Sequence, residues 1–129
     1  MSDSSLGQST PPSRSGTVLI IDDDMAVREV LQALLNQKGF RTLAAADGTS
    51  GVALYQEHRS EISVVMVDLV MPSTPGGNVI AALRALNPTL GIIGMTGSID
   101  TAPPGDRHLM WLRKPSPIDE IVRAIETVA

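Results

Sequence analysis

Five short apolar runs, rich in β-branched residues, punctuate the chain: 17–21 (TVLII), 40–46 (FRTLAAA), 62–69 (ISVVMVDL), 90–97 (LGIIGMTG) and 108–114 (HLMWLRK). Such runs, apolar without alternation, read as strands covered on both faces. The first three of the four gaps between them, and the segment after the last run, carry helical patterns. After the first run, Val27, Val30, Leu31, Leu34 and Leu35 recur at helical spacing, and Gly39 supplies a stop. Segment 47–60 carries a short helix with Val52, Leu54 and Tyr55 on its inner side, and 76–87 (GGNVIAALRALN) a third helix that halts before Pro88. A last helix starts at Pro117, with Ser116 as its N-cap and an acidic third residue. Strand alternating with helix requires a parallel sheet with helices on both faces, because each crossover must return the chain to the same edge.

Ligand sites in sheets of this kind lie beyond the carboxyl ends of the strands. The first run ends in Asp22, Asp23 and Asp24, the third in Asp68, the fourth in Thr96 and the fifth in Lys114. Parallel strands place all of these on one edge. Clustered carboxylates repel one another and call for a divalent cation, and a hard set of oxygen ligands suits Mg2+. An ammonium and a hydroxyl beside a metal-bound carboxylate make a clamp for a transferring phosphoryl group. Asp68 is placed to be its nucleophile, whereas Asp24 reads as the N-cap of the first helix.

Composition narrows the alternatives. The aromatic residues are Phe40, Tyr55 and Trp111, so the core is aliphatic and a base-stacking platform is excluded. A net charge of −4 disfavours binding to a phosphate backbone. Without cysteine there is neither a disulfide framework nor a thiolate metal site. No apolar run reaches membrane-spanning length, and no signal-peptide pattern opens the chain. These features predict a cytoplasmic protein that contacts neither membrane nor nucleic acid directly. Residues 1–16 are rich in Ser, Pro and Gly and read as a disordered tail or linker ahead of a domain over 17–129.

Four motifs together, LIIDDD (19–24), VVMVDLVMP with Gly76, IIGMTG (92–97) and LRKP (112–115), resemble the receiver domain of two-component response regulators, over about residues 17–129. The resemblance implies a flavodoxin-like, doubly wound α/β fold with five parallel strands in the order 2-1-3-4-5. It implies that Asp68 is the phosphoacceptor and that Asp23, Asp22 through water, Asp68 and the Val70 carbonyl hold Mg2+. Thr96 and Lys114 would contact the phosphoryl group, Pro115 would follow Lys114 across a cis bond, and Trp111 stands where the family carries a switch aromatic. The donor would be a phosphohistidine on a sensor histidine kinase or a histidine phosphotransfer protein, and the receiver would catalyse only its own phosphotransfer and dephosphorylation. The motif style resembles receivers attached to hybrid sensor kinases. A free-standing regulator with an unknown protein target is the alternative context.

The chain departs from the family pattern in ways that carry expectations. Pro103, Pro104 and Gly105 break the segment between the fourth and fifth strands, so its helix is predicted to be short, distorted or absent. Gly97 replaces an alanine, and Ser116 stands where a phenylalanine packs beside the last helix. Val70 cannot hydrogen-bond an attacking water, which predicts a long-lived phosphoryl state. Three other functions compete. A phosphatase of the haloacid dehalogenase kind wants an acid where Val70 stands, and a flavodoxin-type binder wants a phosphate loop and flanking aromatics. A degenerate receiver would act as a phosphorylation-independent scaffold. His58 and His108 read as surface residues, and the methionines as core filling.

Overall fold

The computed structural model describes residues 16–72, 75–98, 102 and 104–129. Its elements run β1 (Thr17–Ile21), α1 (Met25–Gln37), β2 (Arg41–Ala45), α2 (Gly48–Glu57), β3 (Ile62–Asp68), α3 (Gly76–Leu86), β4 (Gly91–Thr96), β5 (Leu109–Arg113) and α4 (Ile118–Val128). The five strands form one parallel sheet, as the alternating pattern predicts, in the order β2-β1-β3-β4-β5 that the family resemblance implies. The expected tail lies, Gly16 apart, outside the described residues.

Two aliphatic layers hold the helices to the sheet. On one face Val18, Ile20, Val64, Met66, Ile93 and Met95 pack with Leu35 of α1 and with Ile121, Ala124, Ile125 and Val128 of α4. On the other, Leu19, Ile21, Val65, Val67 and Ile92 pack with Tyr55 of α2 and with Val79 and Leu83 of α3. Neighbouring strand residues thus serve opposite faces, which is why uninterrupted apolar runs form these strands. Each fully buried aliphatic side chain contributes about 1.5–3 kcal/mol relative to exposure.

The helix ends follow local chemistry. Asp24 caps α1 by accepting from the N–H groups of Ala26 and Val27. Asp47 caps α2 through Ser50 N–H. Gly39 turns the chain out of α1 at φ 93°, in the left-handed region. Two expectations need correction. Ser116 is not the N-cap of α4: its hydroxyl donates to the Arg113 carbonyl, Pro117 holds the cap position, and the helix starts at Ile118. Val30, placed on the inner face of α1 by its spacing, is 56% exposed. It borders a cleft of about 300 Å3 between α1 and α4, lined also by Val27, Leu31, Leu34, Met95 and Ile121. Ser116 stands at the same cleft and supplies no apolar bulk to fill it.

Among the described residues no helix stands between β4 and β5, in line with the adjacent prolines. A tight turn feeds β5 instead: Asp106 and Leu109 exchange backbone hydrogen bonds, and Asp106 Oδ1 accepts from His108 N–H. Arg84 of α3 secures the strand entries by donating to the carbonyls of Pro88, Leu90 and His108. These bonds hold the edge of the sheet where β5 joins β4.

Candidate functional site

β1 and β3 lie side by side and deliver their terminal carboxylates to the same edge. Asp22 and Asp68 are 3% and 6% exposed, respectively. Asp22, Asp23 and Asp68 each offer an oxygen, and these atoms lie within 4.8 Å of one another. Lys114, just past β5, reaches over β4 to join them. Its Nζ donates to Asp22 Oδ2 at 2.8 Å and to Asp68 Oδ2 at 3.1 Å. Val70 N–H donates to Asp68 Oδ1 at 3.1 Å, and the Val70 side chain stands 75% exposed at the mouth.

The electrostatics follow from burial against pairing. Burial pushes the Asp68 carboxyl above the usual carboxylate range. Hydrogen bonds from Lys114 and Val70 pull the other way, the charge of Asp22 adds to the rise, and burial prevails. Burial works against the Lys114 ammonium, but hydrogen bonds to Asp22 and Asp68 outweigh it and hold its pKa above the ordinary 10.5. One ammonium therefore pairs with two of the three clustered carboxylates, Asp22 and Asp68, and leaves Asp23 uncompensated by it.

The remaining expected residues are placed less directly. Thr96 is buried at the end of β4, where its carbonyl accepts from Lys114 N–H at 2.8 Å. Its hydroxyl accepts from Ser98 N–H rather than meeting Asp68. The Lys114–Pro115 peptide bond is cis. Trp111 lies outside the cluster. It pairs in register with Gly94, and a Cβ on Gly94 would collide with Cζ3 and Cε3 of the indole. The ring thus occupies room that only glycine leaves. Its Nε1 is buried with no hydrogen-bond partner among the described residues.

Sequence reasoning passed over Arg28. Its guanidinium donates to the Asp22 carbonyl at 2.9 Å. A signal was available: a cation in the first turns of a helix opposes the helix dipole, so its place behind three aspartates called for a local reason.

The model of the "Response regulator receiver domain" family matches residues 18–126. The chain is 28% identical over 123 residues to "Sensor kinase CckA" of Brucella abortus, covering 92% of this chain and 13% of that protein. It is 26% identical over 113 residues to "Sporulation initiation phosphotransferase F" of Bacillus subtilis, covering 84% of this chain and 90% of that one. Among solved structures, a response regulator receiver domain protein from Clostridium thermocellum superposes with a TM-score of 0.79 at 27% identity, covering 88% of this chain and 93% of that one. The receiver domain of the hybrid histidine kinase CckA superposes with a TM-score of 0.75 at 26% identity, covering 88% and 98%. Against the CckA sensor kinase and the Mycobacterium tuberculosis regulator TcrX, the chain spans only 13% and 33% of their lengths. With its fold, its edge of carboxylates and this match in view, the chain belongs to the response regulator receiver domain family of two-component systems.

Proposed function

We propose that this receiver accepts a phosphoryl group on Asp68 and switches protein–protein contacts in response. The observation that carries the reading is the Asp68 carboxylate, buried beside Asp22 and Asp23 and held at 3.1 Å by the Lys114 ammonium. A buried carboxylate costs stability unless it is paired or coordinates a metal, and one ammonium does not satisfy three acids. A scaffold indifferent to phosphorylation would have no use for this arrangement.

The donor set fits Mg2+. It consists of hard carboxylate oxygens close together, one of them on exposed Asp23. Asp23 and Asp68 would hold the ion directly, Asp22 through water, and the Val70 carbonyl would complete the protein ligands. When bound, Mg2+ would neutralise oxygens of the transferring phosphoryl group. An Asp68 oxygen bonds to phosphorus as the P–N bond of the donor phosphohistidine breaks and the imidazole leaves. Lys114 compensates charge on the phosphoryl oxygens, and the Thr96 hydroxyl turns from Ser98 to donate to one of them. Trp111 is the candidate ring to register the change. The donor would be a sensor histidine kinase or a histidine phosphotransfer protein, in the cytoplasm, and the output a protein contact rather than nucleic acid or membrane binding.

Incubation with Mg2+ and acetyl phosphate, followed by intact-mass measurement, tests this reading. One added phosphoryl group that Asp68→Asn abolishes is expected. No adduct, together with no binding of beryllofluoride, would overturn it in favour of a scaffold.

A further inference from the structure

Asp22 and Asp23 lie in the three-residue connection 22–24 between β1 and α1. Every polar group of Asp22 is engaged. Its N–H donates to the Ala45 carbonyl at 3.1 Å, Oδ1 accepts from Asp24 N–H at 2.9 Å, Oδ2 accepts from Lys114, and its carbonyl accepts from Arg28 Nη1 at 2.9 Å. Arg28 also binds the far end of the connection, where its own N–H donates to the Asp24 carbonyl at 3.0 Å. The main-chain bond is the first i→i−4 bond of α1, which any helical residue at 28 would make, so the guanidinium bond to Asp22 is the contact specific to arginine.

Asp23 sits between those two anchors. Its side chain is exposed, and no hydrogen bond or ion pair among the described residues engages its carboxylate. Two neighbouring carboxylates repel it. Its place in the cluster therefore comes from the backbone that carries it, and the Arg28 guanidinium is one of the groups that hold that backbone. Charge gives no reason for an arginine here. A cation near the start of a helix opposes the dipole, and a cation near a Mg2+ site repels the ion. The carbonyl hydrogen bond does give one, because charge-assisted hydrogen bonds are the stronger kind.

We propose that Arg28 is a positioning residue for the cation site, holding the Asp22–Asp24 connection so that Asp23 meets Asp22 and Asp68 ready for Mg2+. The proposal rests on reading the acidic cluster as a Mg2+ site. It predicts a sign opposite to that of simple electrostatics. Removing a nearby positive charge should by Coulomb's law tighten Mg2+, whereas removing the clamp should weaken it.

The test is calorimetric titration of the full chain with Mg2+ and no phosphodonor, for wild type, Arg28→Met and Arg28→Lys. Arg28→Met keeps the stem but neither charge nor donor. It is expected to bind Mg2+ roughly tenfold more weakly, at the low end of the effect of outer-shell partners. Its amide hydrogen exchange at Asp23 and Asp24 should be faster without metal. Arg28→Lys retains a donor and should recover part of the affinity. Should Arg28→Met fail to fold, the shorter, neutral Arg28→Gln reads the same sign. Unchanged or tighter Mg2+ binding in the neutral variants overturns the proposal, as does a wild type that binds no Mg2+. Arg28-dependent Mg2+ binding in a wild type that acetyl phosphate does not label would uphold the clamp and overturn phosphoryl acceptance on Asp68.

Discussion

Lys114 and Asp68 meet at 3.1 Å although β5, which Lys114 follows, and β3, which Asp68 ends, are separated in the sheet by β4. The ammonium spans that gap because two buried carboxylates converge on it, Asp22 from β1 and Asp68 from β3. Replacing it by methionine leaves two near-neighbour acids without a cation. The metal-free Lys114→Met protein is expected to lose about 2 kcal/mol, below the 3–5 kcal/mol of a fully buried pair because the lysine is partly exposed. Saturating Mg2+ should restore much of that loss, so the Mg2+-induced rise in melting temperature should exceed that of wild type. Thermal melts with and without Mg2+ measure both.

The raised pKa of Asp68 has a consequence for pH. Between its unfolded value of 3.8 and its raised folded value, the native state binds more protons than the unfolded state. Stability linked to Asp68 is therefore full below 3.8 and declines as pH climbs through the folded pKa. At neutral pH the ionised Asp68 is a burden on the metal-free fold. Asp68→Asn is expected to melt higher than wild type at pH 7 without metal, and the difference should shrink on acidification toward pH 4. Lys114 acts at the other limit: its stabilisation is full below 10.5 and fades as pH rises through its raised folded pKa. A melting series across pH reads both windows.

Gly94 and Trp111 form a cross-strand pair in which one residue makes room for the other. Gly94→Ala would drive its Cβ into the ring, with a cost of roughly 1–3 kcal/mol, as for other overpacked cores. Trp111 is the only tryptophan, so emission reports the event directly, with a shift to the red as the indole meets water. Trp111→Phe removes the unpartnered Nε1–H along with part of the ring. It should cost less than truncations of this size usually do, and it should relieve most of the Gly94→Ala penalty when the two are combined. Denaturant unfolding of the four proteins in the cycle measures the coupling.

Val70 presents an apolar side chain, 75% exposed, two residues beyond Asp68. It offers no hydrogen bond to a water approaching the aspartyl phosphate. Val70→Asn supplies one and is expected to shorten the phosphoryl lifetime by about tenfold, within the usual reach of a positioned polar group. Loss of the mass adduct with time at neutral pH gives both rates. A wild-type half-life of seconds would contradict the expected persistence.

Much of this was legible in the residues because it depends on local pattern. β1 was read to its residue because TVLII is an unbroken β-branched run set between glycine and aspartate, and both determinants are local. The prolines between β4 and β5 pointed by chain geometry alone to a helix that is short, distorted or absent, and among the described residues none stands there. The meeting of Asp22, Asp68 and Lys114 followed from strand direction, since parallel strands end on one edge. Other features depended on information that a linear reading does not hold. The Gly94–Trp111 fit needs the register of β4 against β5. The Arg28 bond to Asp22 needs the path of a three-residue turn. Val30 misled because periodicity marks a face of α1 but not how far α4 covers it, and Ser116 failed as a cap because its hydroxyl found the nearer Arg113 carbonyl.

The ion pair between Lys114 and Asp22 closes a loop of 92 residues, from the first strand of the sheet to the turn after the last. A contact of such long sequence separation forms late, since the intervening chain must be ordered before it is rewarded. The site is consequently a certificate of completion. A chain whose last strand is not yet docked lacks the ammonium that pairs with Asp22 and Asp68. The cluster is complete only once the last strand of the sheet is in place.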